Sequence, residues 1–279
     1  MRILVLGNGH RPGVAAAAEQ LVPFLRQHAE VVCVDLFQER ALCDLKADVT
    51  LVLGGDGAIL RTARQMAYHQ TPVLGVNLGK LGFLADLTLD EVRAFFPRVV
   101  QGEYRITEHL MLECSVVERE KPRTMLGLNE IAIQTDPPFH MLELDLIVDN
   151  EIVAGYSGNG LIISTPIGST AHSLSAGGPI LGQELDAFVI TPICPHTLTN
   201  RPVVDSAEKE YLIAIRKASS GATLVVDGQE FIKLVPGQIV TVRRAPVRFR
   251  LVKVPGHGYY QTLRDKLRWG TPPNYSANS

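Results

Sequence analysis

Two glycine-rich stretches contain the residues best suited to chemistry. The first is Gly54-Gly55-Asp56-Gly57, which directly follows the apolar run 49–53. Glycines allow backbone N–H groups to face a phosphate, and a carboxylate among them can accept a proton from a substrate hydroxyl. The combination suits transfer of a phosphoryl group to a small hydroxyl compound, although Asp-Gly pairs also form ordinary turns.

The second stretch, residues 158–179, is rich in small and hydroxyl-bearing side chains. It contains Gly168-Ser169-Thr170 and ends in Gly177-Gly178-Pro179. Hydroxyls with close backbone access favour a polar ligand. Before it, Asn129 and Glu130 add an amide and a carboxylate, which suit a ribose diol or an adenine edge, although an isolated dipeptide of this kind also forms solvated turns.

Two other glycine-containing loops do not complete a nucleotide-binding fingerprint. Gly13 follows Gly7-Asn8-Gly9 at a spacing that differs from Gly-x-Gly-x-x-Gly. In the loop that starts at Gly75, Leu81 stands after the lysine, where a P-loop has Ser or Thr to bind magnesium. A dehydrogenase and a P-loop nucleoside triphosphatase are therefore disfavoured.

The elements that must position these residues change in character near residue 102. Before it, short apolar runs alternate with two helical patterns, at 14–28 and 58–68, which favours a parallel sheet with functional loops at the carboxyl ends of its strands. The runs that predict strands there are residues 2–6, 31–36, 49–53 and 73–76. Later runs rich in Val, Ile and Thr predict an all-β region with strands at 111–117, 126–133, 142–148, 161–164, 211–215 and 222–226.

We therefore predict an α/β plus all-β architecture. Residues 1–101 form a Rossmann-like parallel α/β domain, and residues 102–257 form a β-rich, sandwich-like domain. Residues 258–279 contain a helix at 261–269 and a polar tail with little order, and this segment is expected to pack back on the first domain.

Composition excludes several classes of function. The chain has 279 residues, 46% of them hydrophobic, and a formal net charge of −2, so a nucleic-acid partner is not expected. No apolar run approaches the length of a membrane helix, and no signal peptide is recognisable. The four cysteines are widely spaced, which indicates free thiols in the cytoplasm rather than disulfides or a zinc site.

Taken in order along the chain, these motifs resemble the NAD kinases of the bacterial type over almost its whole length. The matching segments are Gly54-Gly55-Asp56-Gly57, 77–84, 128–130, 160–179, 191–196, 200–202, Asp227-Gly228-Gln229 and 263–269. The resemblance implies transfer of a phosphoryl group from ATP, or from polyphosphate, to the 2′-hydroxyl of the adenosine ribose of NAD. The product would be NADP.

The same resemblance implies roles for individual residues. Asp56 would be the proton acceptor, and Gly54, Gly55 and Gly57 would face the donor phosphates. A divalent cation, Mg²⁺, would arrive with ATP, and no residue of the protein is assigned as a metal ligand. The positions implied to contact NAD are Asp56, Gly57, Arg61, Asn129, Glu130, His140, Ser157, Asn159, Thr170, Ala171, His172, Ser173, Ser175 and Gln229.

The chain departs from the family pattern at four positions, where Ala58, Ile167, Asn159 and His172 replace the usual Thr, Thr, Asp and Tyr. Asn159 lacks the charge of Asp, and His172 offers less stacking surface than Tyr. We expect these changes to affect NAD affinity rather than the reaction. The resemblance also implies a dimer or tetramer in which residues 157–160 reach a neighbouring subunit's ligand.

Two other functions share some of these features. A kinase for a lipid or sugar hydroxyl would share Asp56 and its glycines but not the later NAD-contacting positions. A nucleotide-binding regulator that has lost turnover is suggested by the changes at Asn159 and His172. Such a regulator would bind NAD tightly without forming NADP.

Overall fold

The computed structural model describes residues 1–40, 42, 45–79, 82–85, 87–118, 121–254, 258–268 and 270. The strands are β1 (Arg2–Gly7), β2 (Glu30–Asp35), β3 (Val49–Leu53), β4 (Val73–Val76), β5 (Arg105–Glu118), β6 (Lys121–Gly127), β7 (Glu130–Thr135), β8 (Leu142–Val148), β9 (Glu151–Gly158), β10 (Gly160–Ser164), β11 (Ala187–Ile193), β12 (Val203–Ser206), β13 (Tyr211–Ala218), β14 (Ala222–Val226), β15 (Glu230–Leu234) and β16 (Ile239–Lys253). The helices are α1 (Val14–His28), α2 (Asp56–Met66), α3 (Leu89–Val100), α4 (His172–Ser175) and α5 (Tyr259–Leu267), with a 3-10 turn at Gly168–Thr170.

The chain forms two compact units. Unit 1 comprises Met1–Thr62, Thr71–Thr107 and Arg250–Ser279, and unit 2 comprises Ala63–Gln70 and Glu108–Phe249. Within the described residues, no helix is long and apolar enough to cross a membrane. Cys33, Cys114 and Cys194 are free thiols, whereas Cys43 lies outside the described residues.

Unit 1 is built on a parallel sheet, as the sequence predicts. Its strand order is β2-β1-β3-β4, and the end of β16 pairs with β4 through Leu251 and Val73. Helix α1 buries Ala18, Leu21 and Leu25, whose spacing of three to four residues forms one apolar face. Helix α3 begins with a reciprocal capping box between Thr88 and Glu91, which satisfies two backbone N–H groups at its start.

Helix α2 begins two residues earlier than predicted. The expected start was Ala58, but the helix spans Asp56–Met66. A positive φ of 137° at Gly54 turns the chain out of β3, and a carboxylate in the first turn complements the helix dipole. Asp56 is therefore the first residue of a helix and not part of an extended loop.

Unit 2 contains two antiparallel sheets, which confirms the prediction of a β-rich region. One sheet has the order β12-β11-β10-β7-β14-β15; the other contains β13, β8 and β9, with β16 next to β13 and β5 paired with both β16 and β6. Inward-facing residues of both sheets, such as Leu144, Ile163, Tyr211 and Leu224, form one hydrophobic core. Alternating burial along β8 shows the period of two that a half-buried strand requires.

Two sequence-based predictions in this region need correction. The run 126–133 was expected to be one strand, but it is divided between β6 and β7 because the backbone N–H groups of Leu128 and Asn129 bind the side chain of Asp227 instead of a neighbouring strand. The region was also expected to be all β, but it contains the 3-10 turn and α4.

At the C-terminus, α5 in unit 1 covers most of the helix predicted at 261–269. Trp269 and the predicted polar tail over 271–279 lie outside the described residues.

Candidate active site

The carboxylate of Asp56 is fixed by the loop that follows β4. Its Oδ2 accepts the backbone N–H of Phe83 at 2.8 Å, and its Oδ1 accepts those of Leu84 at 2.9 Å and Ala85 at 3.1 Å. The side chain is nevertheless 30% exposed. Asp56 is therefore held in one position while part of its side chain stays exposed to solvent.

Two residues that support Asp56 were missed by sequence reasoning. Gly82 leaves the space that the carboxylate occupies, because a Cβ there would lie 2.1 Å from Asp56 Oδ1. Lys266 of α5 places its Nζ 3.9 Å from Asp56 Oδ2 and 4.2 Å from the centroid of the Phe83 ring, a cation–π contact. The sequence signals were the family-matching segments 77–84 and 263–269 and the cationic end of the predicted C-terminal helix, but no role was assigned to either residue.

Asn129 and Glu130 are positioned by contacts within unit 2. Oδ1 of the buried Asp227 accepts the backbone N–H groups of Asn129 at 2.8 Å and Glu130 at 3.2 Å, and Oδ2 accepts that of Leu128 at 2.9 Å. In return, the backbone N–H of Asp227 donates to the carbonyl of Glu130 at 2.9 Å. The dipeptide therefore has a fixed backbone.

The carbonyl side of the same dipeptide is bound by the stretch that follows β10. The backbone N–H of Thr165 donates to the carbonyl of Asn129 at 2.8 Å, and the Thr165 hydroxyl donates to that of Leu128 at 2.6 Å. Gly168 lies so close that a Cβ there would be 2.1 Å from the Asn129 carbonyl oxygen. The two sequence features, at 129–130 and 158–179, thus meet in one structure.

Two side-chain atoms of this dipeptide stand out. Asn129 Oδ1 and Glu130 Oε2 are both buried, and neither has a hydrogen-bond partner among the described residues. Buried polar atoms are normally paired, so these atoms are the natural contacts for a polar ligand. Burial, and then the charge of Asp227, raises the pKa of Glu130 to about 8, while the backbone N–H of His172 acts in the opposite direction.

The predicted residues around α4 differ in what they can offer a ligand. Ser173 is buried and shares a 2.9 Å hydrogen bond with Thr191, whereas the Thr170 hydroxyl donates to the carbonyl of Ile167 at 3.1 Å. His172 and Ala171 are half-buried, and Ser175 is exposed. Burial lowers the pKa of His172, which favours a neutral ring at physiological pH.

Gln229 and Arg61 are placed in different units. Gln229 follows the β14–β15 turn in unit 2, where its Oε1 accepts a hydrogen bond from Arg64 Nη2 at 2.5 Å. Arg61 is half-buried on the part of α2 that belongs to unit 1. Sequence reasoning did not assign a role to Arg64.

Three other predicted residues lie at the far end of the central strands of unit 2. Glu130 pairs with Ser164 at one end of β7 and β10, and Gln134 pairs with Gly160 at the other. Asn159 lies at this second end, where its carbonyl accepts the N–H of Thr135 at 3.0 Å. The same end carries Ser157 on β9, which is half-buried, and the exposed His140 after β7. One copy of the chain therefore does not bring these three residues to Asn129 and Glu130.

Comparison with known proteins places the chain among the NAD kinases. The model of the ATP-NAD kinase N-terminal domain matches residues 35–104, and that of the ATP-NAD kinase C-terminal domain matches residues 128–254. An NAD kinase from Rhodopirellula baltica is 46% identical over 269 residues, covering 96% of this chain and 86% of the relative. One from Moorella thermoacetica is 37% identical over 279 residues, covering 96% and 90%.

Solved structures show the same fold. The crystal structure of yeast NADH kinase complexed with NADH superposes with a TM-score of 0.89 at 24% identity, covering 99% of this chain and 90% of the other, a likeness that concerns the fold alone. An NAD kinase from Archaeoglobus fulgidus in complex with ATP gives a TM-score of 0.79 at 27% identity, covering 96% and 99%.

The matching domain models place the chain in a class of phosphotransferases that act on an alcohol group. The two domain models and the extent of the sequence identity show further that the chain belongs to the NAD kinase family. Its reaction is the phosphorylation of NAD by ATP, which yields NADP. A lipid or sugar kinase is thereby excluded.

Proposed function

We propose that Asp56 is the proton acceptor of this reaction. Its carboxylate is held by three backbone N–H groups yet remains 30% exposed, and this combination is the observation that carries the assignment. Phosphoryl transfer depends mainly on positioning and on electrostatic stabilisation, so a fixed carboxylate aligns the 2′-hydroxyl as well as accepting its proton.

On the donor side, we propose that the start of α2 and the preceding glycines bind the phosphates of ATP. Gly55 is exposed, with no heavy atom within 4 Å of where a Cβ would stand, so a phosphate can approach the backbone closely. The positive end of the helix dipole favours the negative charge of the phosphates. Mg²⁺ carried by ATP would neutralise part of that charge, since this ion is usually bound through substrate phosphates and few protein carboxylates.

On the acceptor side, we propose that Asn129 and Glu130 bind the adenosine of NAD. The support is the pair of buried, unpartnered oxygens, Asn129 Oδ1 and Glu130 Oε2, on a fixed backbone. An amide accepts and donates, and a carboxyl group with a raised pKa can donate to a ribose oxygen or accept from a ribose hydroxyl. The half-buried His172 adjoins Glu130 through its backbone N–H and offers a ring for stacking.

We also propose that the chain works as a homo-oligomer. Ser157, Asn159 and His140 lie at the opposite end of β7 and β10 from Glu130, so a role in NAD binding requires them to serve the ligand of a neighbouring copy. Light scattering of the purified protein would give the assembly size, and a monomer with full activity would contradict this proposal. A cytoplasmic location is supported by the free thiols of Cys33, Cys114 and Cys194.

The direct test of the function is NADP formation by the purified protein from NAD, ATP and Mg²⁺, measured with an NADP-specific dehydrogenase. We expect turnover that is lost on chelation of the metal and restored when Mg²⁺ is added. A parallel reaction with polyphosphate in place of ATP defines the donor. A folded protein that binds NAD but forms no NADP with either donor would support the regulator instead.

A further inference from the structure

Asp227 is the most deeply buried carboxylate near the proposed acceptor site, and no function has yet been assigned to it. It lies at the β14–β15 turn, where Asp227 and Gly228 have φ values of 51° and 66° and the N–H of Gln229 donates to the carbonyl of Val226 at 2.9 Å. Consecutive positive φ values and an Asp-Gly sequence are typical of a type I′ hairpin turn. This turn directs the Asp227 side chain inward, where its exposure is 0%.

The hydrogen bonds and the ion pair of this carboxylate among the described residues all come from donors. The three backbone N–H groups of residues 128–130 point at its two oxygens, and Arg64 Nη1 lies 3.7 Å from Oδ2. Burial raises the pKa of Asp227, whereas the N–H donors and the Arg64 guanidinium favour its charged form. Burying a carboxylate is costly, so such complete donor coverage indicates a specific task.

The Asp227 carboxylate replaces the strand partners that the backbone N–H groups of residues 128 and 129 would otherwise have. Between β6 and β7 the chain leaves the sheet ladder at Leu128 and Asn129, and the Asp227 oxygens take the place of strand partners for these N–H groups. Arg64 is itself fixed, because its Nη2 donates to Gln229 at 2.5 Å and its side chain is only 14% exposed. Arg64, Asp227 and the turn thus form one support under Asn129 and Glu130.

We infer that Asp227, fixed by Arg64, is a positioning residue that sets the affinity for NAD by holding the Asn129 and Glu130 side chains in their binding orientation. It does not touch the substrate; it acts through the backbone of the dipeptide. The role assigned to Asp227 rests on the proposed binding of NAD by Asn129 and Glu130.

Asp227→Asn is the sharpest test, because it preserves the shape of the side chain but replaces one acceptor oxygen with an NH2 group, which donates and cannot accept from these N–H groups. We expect KM for NAD to rise about tenfold or more, while KM for ATP stays within about twofold and kcat at saturating NAD falls less than about threefold. Asp205→Asn is the matched control: Asp205 also accepts backbone and side-chain donors in unit 2, but from Ser206 and Lys209. It should leave all three constants unchanged.

Arg64→Gln provides the second variant, in case Asp227→Asn does not fold. It removes the charge beside Asp227 and should produce the same selective rise in KM for NAD, with a smaller magnitude. Parallel rises in KM for NAD and KM for ATP, or an unchanged KM for NAD in whichever folded variant is measured, would overturn the positioning role.

A third variant, Asn129→Ala, distinguishes the NAD-binding role of Asn129 from the positioning role of Asp227. If Asn129→Ala raises KM for NAD but the folded Asp227 and Arg64 variants do not, the positioning role is wrong and the binding role stands. If Asn129→Ala leaves KM for NAD unchanged, the proposed binding role is wrong, and with it the role assigned to Asp227.

Discussion

The two units use the same kind of contact for opposite purposes. In unit 1, the Asp56 carboxylate accepts three successive backbone N–H groups, from Phe83 to Ala85, and remains 30% exposed. In unit 2, the Asp227 carboxylate accepts three successive N–H groups, from Leu128 to Glu130, and is not exposed. In the proposed site, the Asp56 carboxylate contacts the substrate, whereas the Asp227 carboxylate positions Asn129 and Glu130, which contact it.

The difference shows that the surroundings, and not the hydrogen-bond pattern, decide what such a carboxylate does. The missing side chain of Gly82 leaves the space that the Asp56 carboxylate occupies, and Lys266 Nζ lies 3.9 Å from Asp56 Oδ2. Asp227 is enclosed, and its cation Arg64 is itself bound to Gln229. Substitutions around Asp56 should therefore mainly lower kcat, and substitutions around Asp227 should mainly raise KM for NAD.

The largest of these effects is expected from Gly82→Ala. The new Cβ would lie 2.1 Å from Asp56 Oδ1, so the carboxylate must move. A displaced catalytic group commonly lowers the rate by about 100-fold, and we expect kcat to fall by about that factor with little change in NAD affinity. Gly79→Ala is the control in the same loop, because no heavy atom of the described residues lies within 4 Å of its Cβ position. Equal kcat values for the two variants would contradict the account.

The corresponding change in unit 2 is Gly168→Ala, which forces a Cβ to within 2.1 Å of the Asn129 carbonyl oxygen. Overpacking of this kind costs about 1–3 kcal/mol, and the shifted dipeptide should raise KM for NAD about tenfold. Urea unfolding and steady-state kinetics would measure the two effects. Gly182→Ala, at a position with open space, should show neither. A fall in kcat alone would show that the two regions do not divide the work as proposed.

The pH dependence of stability sharpens the contrast further. Burial, with the Asp227 charge, raises the pKa of Glu130 from an ordinary value of 4.5 to about 8, so in this interval the folded chain keeps a proton that the unfolded chain releases. The contribution of Glu130 to the free energy of unfolding therefore falls as pH rises through this interval.

Glu130→Gln, which resembles the protonated side chain, should remove this dependence. The free energy of unfolding of the variant, minus that of wild type, should therefore increase as pH rises from 5.5 to 8.5. Denaturant unfolding at each pH would measure it. The lowered pKa of His172 acts in the opposite direction near pH 6, but it is present in both proteins and cancels in the difference. Parallel pH profiles would rule out a raised pKa at Glu130.

The smallest effect is expected from Lys266→Met. The Lys266 side chain is 27% exposed, so its interaction with Asp56 is partly screened by water. Loss of such a pair costs about 1 kcal/mol, which corresponds to about a fivefold lower kcat. Arg264→Met on the same helix serves as the control, because Arg264 contacts Gln261. A loss as large as that of Gly82→Ala would mean that Lys266 contributes directly to the chemistry.

Local motifs were enough to predict much of the fold and to propose Asp56 as the proton acceptor. Asp56 stood out because its glycines and the preceding strand are adjacent in sequence, and the alternation of strands and helices predicted the parallel sheet of unit 1. Asn129 and Glu130 were also proposed, although an isolated dipeptide of this kind more often forms a solvated turn.

The remaining features depend on contacts between distant parts of the chain. The break between β6 and β7 exists because Asp227 binds the backbone N–H groups of Leu128 and Asn129. The pattern of apolar residues does not depend on such a distant hydrogen-bond partner and could not predict it. Gly82 and Lys266 support Asp56 only after folding brings three separate segments together. The placement of Asn159 at the far end of β10 likewise follows from strand register.

We propose that Asp56 accepts the proton of the 2′-hydroxyl and that Asn129 binds NAD. The most direct test measures NAD affinity by calorimetry and turnover by NADP formation in Asp56→Asn and Asn129→Ala. We predict that Asp56→Asn folds, binds NAD and loses about 100-fold or more in kcat, whereas Asn129→Ala loses mainly NAD affinity. A folded Asp56→Asn variant with wild-type turnover would contradict the account.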